Sequence, residues 1–158
     1  MDLTRTRTAL HGIAELLLAG PQYAASGTIR LRVLPTGIAT VAEPDLRVEG
    51  AELVCGSGRH PLTGTYAELA DAAGITIRSL DDVYPANEEV TPTDRIEIDA
   101  AHLAALTGAL VLGDSALREF APAEVPVLWP EHLDITISKD DVNYGVSPGD
   151  VALAEPYA

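Results

Sequence analysis

Residues 125–158 read VPVLWPEHLDITISKDDVNYGVSPGDVALAEPYA, and two successive alternating segments in this stretch decide the fold. Residues 125–129 read as an apolar strand stopped by Pro130. From His132 the alternation is strict. Leu133, Ile135 and Ile137 point to one side, while His132, Asp134, Thr136 and Ser138 point to the other, the period of a half-buried strand. Val142, Tyr144 and Val146 alternate in the same way with Asp141, Asn143, Gly145 and Ser147. A hairpin joining the segments must keep both apolar sets on one face, because a one-residue slip moves every side chain across the sheet. Loops of even length satisfy this. A two-residue loop at Lys139-Asp140, or a four-residue loop over 138–141, sets Ser147 opposite His132, Gly145 opposite Asp134 and Asn143 opposite Thr136. Ser147-Pro148-Gly149-Asp150 then matches a type II turn, with Pro second and a positive-φ Gly third, and presents Asp150 on the side of His132.

The expected outcome is a polar sheet face built from His132, Asp134, Asn143 and Ser147, with Trp129, Tyr144 and Asp150 in the same hairpin. Such a group can orient a small polar ligand, and an imidazole there exchanges protons near neutral pH. If the protein is an enzyme, His132 is the acid–base residue and Asp134 or Asp150 orients it. A hydrolase triad fits poorly, since no Gly-x-Ser-x-Gly elbow occurs. One His among carboxylates, with no second His nearby, is not read as a metal site, and no cofactor is expected. The competing reading is the solvated outer face of an amphipathic hairpin.

Working outward, residues 4–19 read as a helix stopped by Gly20-Pro21, and residues 28–33 alternate as a strand. Pro35-Thr36-Gly37 fits a three-residue hairpin loop that sets Leu31 opposite Val41 and Val33 opposite Ala39. Short strands follow at residues 46–48 and Glu52–Cys55, and Gly56-Ser57-Gly58 reads as a plain turn rather than a phosphate loop. Thr65 with Glu68 predicts a capping box on a helix ending at Gly74. Residues 79–94 read as a loop and 95–98 as a strand. Asp99 caps the clearest helix, 99–120, whose Leu103, Leu106, Leu110, Leu117 and Phe120 form a buried stripe interrupted by Gly108 and Gly113, with a kink or break expected near Gly113-Asp114. Arg30 and Arg32 share a strand face and Arg47 sits on a neighbouring strand. Together they form a weak candidate clamp for a carboxylate or phosphate, against which Glu43, Glu49 and Glu52 argue for surface pairing.

The chain has 158 residues, long enough for one cohesive core, and is read as a single domain. Its 24 acidic and 10 basic side chains give a formal charge of −14, which argues against nucleic acid or an anionic bilayer as partner. The charge is uneven: residues 1–60 hold six Arg and six acids, so all of the −14 falls in residues 61–158. Solubility is the plain reading of the acidic part, and an acidic module that masks a basic partner is the sharper one. One cysteine, Cys55, excludes an internal disulfide and fits a reducing compartment. The apolar stretch 13–19 is interrupted by Glu15 and preceded by His11, so a helix is preferred to a signal peptide and a cytoplasmic location is expected. No run is read as reaching the ~18 apolar residues of a membrane span.

Trp129-Pro130-Glu131-His132-Leu133-Asp134, then Asn143-Tyr144-Gly145-Val146-Ser147-Pro148-Gly149-Asp150, then Glu155-Pro156-Tyr157, resemble a pattern found in a family of bacterial, largely actinobacterial, proteins of unknown function. There the pattern runs Trp-Pro-x-His-Phe-Asp, Asn-x-Gly-x-Ser-x-Gly-Asp, Glu-Pro-Tyr. This chain departs from it at Leu133, and the similar proteins continue past the final Glu-Pro-Tyr. The resemblance implies a domain type and a place to look, not an activity. The fold expected is α+β, a mainly antiparallel sheet packed against two principal helices. The function expected is binding of a small polar molecule or a protein partner through the His132 face.

Overall fold

The computed structural model describes residues 2–85, 89–150 and 152–158. An eight-stranded antiparallel sheet runs in the order β5-β4-β3-β2-β1-β6-β7-β8, so two sequential meanders meet where β1 pairs with β6. The first meander comprises β1 (Leu31–Leu34), β2 (Gly37–Thr40), β3 (Leu46–Glu49), β4 (Glu52–Cys55) and β5 (Gly58–Pro61). The second comprises β6 (Val127–Trp129), β7 (Asp134–Lys139) and β8 (Val142–Val146). The helices are α1 (Thr4–Gly12), α2 (Gly20–Ser26), α3 (Tyr66–Ala73) and α4 (Ala100–Phe120). The fold is α+β, as the patterning predicts.

One face of the sheet carries Leu31, Ile38, Val48, Leu53, Leu128, Ile135 and Ile137, which form the core with the helices. Thr65 caps α3 through the reciprocal box with Glu68, and the Asp99 carboxylate caps α4 by accepting from the Ala101 and His102 N–H groups. The stripe Leu103, Leu106, Leu110 and Leu117 is buried as expected, but Phe120 is 53% exposed. α4 runs unbroken through Gly113, where a kink was expected. Gly113 lies against β8, and a Cβ there would come 2.8 Å from the Val146 side chain, so the glycine serves close packing. With 21 residues, and a mean hydropathy of 1.4 over its most apolar 18-residue stretch, α4 also meets the length and composition of a membrane span, a run not expected from the sequence.

The N-terminal helix does not stop at Gly20-Pro21. It widens into a π-helical stretch, Ile13–Ala19, and continues as α2 to Ser26. Proline is tolerated here because it falls in the first turn after the change of winding, where its missing N–H is not required. Gly20 is needed for contact: a Cβ would sit 1.9 Å from the Arg78 carbonyl oxygen. The π-helical stretch is buried on every side, Glu15 included, and its apolar residues face the sheet, α3 and the 75–84 segment.

Two registers and three strand assignments differ from expectation. β1 and β2 join through a two-residue turn, Pro35-Thr36, which pairs Val33 with Ile38 and Leu31 with Thr40. Gly37 is absent from the positive-φ residues and instead admits the Val48 carbonyl, 1.8 Å from where a Cβ would lie. The β7–β8 loop is Asp140-Asp141, with φ of +53° and +61°, so Thr136 pairs with Gly145 and Ser138 with Asn143. The faces keep their alignment, but the pairing moves by two. Aspartate accepts the left-handed conformation that a Lys139-Asp140 loop would force on lysine. His132 does not extend β7; it lies in the turn of residues 130–133, where Leu133 takes a φ of +56°. Residues 95–98 form no strand beyond a single bridge from Arg95 to Thr65, and β5 was not anticipated.

Candidate functional site

The face opposite the helices carries the polar side chains of β6, β7 and β8. The register places Trp129 beside Asp134, and the Trp129 indole N–H donates to the Thr136 hydroxyl at 2.9 Å. Farther along, the Ser138 hydroxyl donates to the Asn143 amide oxygen at 2.6 Å. Asp134 is half-buried, and burial raises its pKa above the ordinary carboxylate value, while the neighbouring His132 pulls the other way. His132 sits beyond the strand end with its Nε2 3.7 Å from a Glu131 carboxylate oxygen, and its side chain is about half exposed.

The remaining hairpin residues separate from this face. Tyr144 points to the helix side, where its ring meets Phe120 at 4.9 Å between centroids. Ser147 is buried and exchanges two backbone hydrogen bonds with Tyr157, while its hydroxyl accepts from the Gly149 N–H. Asp150 is fully committed: one oxygen accepts from the Ala152 and Leu153 N–H groups and the other from the Tyr157 hydroxyl. Those bonds hold its carboxyl below the usual range. Gly149 takes the positive φ, +103°, that the Pro-Gly pattern predicts, but the Asp150 N–H donates to the Leu153 carbonyl and the Ser147 carbonyl accepts from the Tyr157 N–H, so no hydrogen bond closes a type II turn and Asp150 is tied into the C-terminal segment.

The three arginines also separate. Arg47 is paired with Glu49 at 2.6 Å and Asp45 at 3.7 Å, and Arg59 joins the same network through Glu49 and Glu52. Arg30 and Arg32 have no carboxylate partner among the described residues. The Arg30 guanidinium lies 5.7 Å from the centre of the Trp129 ring, and the Arg32 Nε–H donates to the Thr40 carbonyl. Both are exposed and stand on the sheet face that holds Trp129, Asp134 and Thr136. The two candidate clusters, about a hundred residues apart in sequence, therefore adjoin across the β1–β6 seam.

Sequence reasoning missed Thr136 as the indole's partner and Tyr157 as the partner of Asp150. It also missed the burial of Arg7, His11 and Glu15, each 5% exposed or less. Their four-residue spacing on one helix face was the available signal. Arg7 donates to the Ala154 carbonyl, and Glu15 accepts from the Leu80 N–H. Clefts of 600 and 430 Å³ open elsewhere, one beside Pro44 and Cys55 and one beside Pro35 and Ala104, and neither is lined by the hairpin. Among the described residues no group of three His, Cys, Asp or Glu side chains is arranged to hold a metal ion.

Comparisons with family models, with curated proteins and with solved structures find no match to this chain.

Proposed function

We propose that this protein is a binding domain whose uncovered sheet face receives a carboxylate-bearing segment of a protein partner, with Arg30, Arg32 and Trp129 as the centre of contact. One observation carries the reading. In a chain with 24 acidic side chains, Arg30 and Arg32 stay without an acid partner among the described residues, beside the half-buried Trp129. Arginine and tryptophan are the side chains that most often dominate interfaces, and a guanidinium pairs with a carboxylate in two-point geometry. The clefts of 600 and 430 Å³ lie away from this face, and an open sheet face suits an extended protein segment better than a small molecule, which favours a concave site. Asp134, Thr136, Ser138 and Asn143 supply polar neighbours along the same face.

Trp129 is the only tryptophan, so its fluorescence reads this face directly. Titration with a hexaglutamate peptide is expected to give a saturable change in emission that weakens with salt and is lost in Arg30→Ala/Arg32→Ala. A hexaserine peptide is the control. An unchanged spectrum, or a response that survives the double substitution, rejects the proposal.

A further inference from the structure

We infer that the 600 Å³ cleft between α2 and the segment after α3 is a binding site for a small molecule with an apolar body and one ammonium group. Its floor is the cross-strand pair Leu46 and Cys55, on the helix side of the sheet. Ala24 and Ala25 of α2 form one wall, and Ile75 and Ile77 form the other. The volume lies within the range of about 300–1,000 Å³ of small-molecule sites, which pair an apolar lining with a few polar groups.

The charge of the ligand follows from what each polar group at the mouth already does. Arg78 is the basic residue of the lining, and it is committed. Its guanidinium donates to the two Asp82 carboxylate oxygens at 3.2 and 3.0 Å and to the Ser79 carbonyl at 2.8 Å. It also lies 4.6 Å from the centre of the Tyr23 ring. An anionic ligand would have to break that pairing. Glu43 is the acid of the lining, and its carboxylate makes no hydrogen bond or ion pair among the described residues.

The backbone adds charge of the same sign. α2 ends at Ser26, whose hydroxyl donates to the Glu43 carbonyl at 2.6 Å, so the helix C-terminus lies beside Glu43. α3 ends at Ala73, and its left-handed cap, Gly74, lines the same cleft. Two helix C-termini, each the negative end of a helix dipole, thus converge on one cleft. Neither helix has a basic side chain in its last turn, where one would compensate the dipole, and α3 carries Asp71 there instead. A cation at the mouth supplies that compensation, while the floor and walls bury the apolar body. A lysine side chain from a protein partner would leave most of the volume unfilled, so the occupant is a free small molecule.

The test is fluorescence titration with three dansyl probes that share one apolar ring system and differ in charge: cationic dansylcadaverine, neutral dansylamide and anionic dansylglycine. Dansylcadaverine is expected to bind once per chain with blue-shifted emission, dansylamide about threefold to tenfold more weakly, and dansylglycine not at all. Glu43→Gln should lower the affinity for dansylcadaverine toward that for dansylamide and leave dansylamide binding unchanged. Glu119→Gln removes the same charge from an exposed position of α4, outside the cleft, and should alter neither. Ala24→Phe, at an exposed position of α2, should fill the cleft and abolish binding with an unchanged melting temperature. The single cysteine, Cys55, gives a readout that needs no substitution: saturating dansylcadaverine should slow its alkylation by iodoacetamide. Four results overturn the inference: equal affinity for the cationic and neutral probes, an equal loss in Glu119→Gln and Glu43→Gln, binding that survives Ala24→Phe, or Cys55 alkylation unaffected by the probe. Loss of probe binding in Arg30→Ala/Arg32→Ala would also overturn it, by moving the probe to the sheet face.

Discussion

Gln22 shows how much of this fold hangs on one side chain that sequence patterning does not flag. It is fully buried, and all four hydrogen-bonding positions of its amide are used. The nitrogen donates to the Thr28 and Arg30 carbonyls at 2.9 and 2.8 Å, and the oxygen accepts from the Val41 and Ala42 N–H groups at 2.7 and 2.9 Å. The amide thus joins the chain entering β1 to the chain leaving β2, beyond their last backbone pair. Gln22→Leu fits by size but strands two carbonyls and two N–H groups. A loss of about 2–4 kcal/mol is expected in urea unfolding. Glu15 gives the converse case. Burial raises its pKa above the ordinary 4.5, so the folded state holds the proton more tightly than the unfolded chain does. Its contribution favours folding at low pH and is lost as pH rises through the raised pKa. Glu15→Gln should therefore melt at a higher temperature than the wild type at pH 7, with the gap closing toward pH 4.5. An equal gap at both pH values would count against this account. Gln22 carries no signal in the sequence, and the four-residue spacing of Glu15 with His11 and Arg7 reads equally as the solvent side of a helix until something covers it.

Among the elements, those governed by local chemistry were legible. The capping box at Thr65, the Asp99 cap, strand β4 and the alternation of β7 and β8 each depend on residues within a few positions. The errors lie where a distant carbonyl or a turn conformation decides. Gly37 reads as a turn residue and Gly113 as a kink, yet each meets another strand: Gly37 the Val48 carbonyl on the adjacent β3, and Gly113 the Val146 side chain on β8. The same holds for Gly20-Pro21, read as a helix stop. Gly20 is where the 75–80 segment crosses the N-terminal helix, and Gly20→Ala would drive its methyl into the Arg78 carbonyl. A cost of about 1–3 kcal/mol is expected, together with faster proteolysis of the segment following α3. Proteolysis as slow as in the wild type, with unchanged stability, would show that the segment gives way freely. The site shares this pattern. Its strand faces followed from period two, but the adjacency of Arg30 to Trp129 needed the β1–β6 pairing, which joins positions 31 and 128.

Across the whole molecule, the separation of charge along the chain becomes a separation in space only in part. The arginines paired with acids, Arg47 and Arg59, lie in the first meander with Glu49 and Glu52, while Arg30 and Arg32, without a carboxylate partner among the described residues, lie at its border with the acidic second half. That border has a further consequence, for the order of assembly. Inside each meander neighbouring strands are joined by turns of a few residues, so their pairing closes short loops at small entropic cost. The seam between β1 and β6 closes a loop of nearly a hundred residues, and Leu31 with Leu128 is its only registered pair. Contacts of such long sequence separation set the pace of folding. The arginine–tryptophan contact spans this seam, so the face that would greet a partner comes into being only when the two halves of the sheet have found each other.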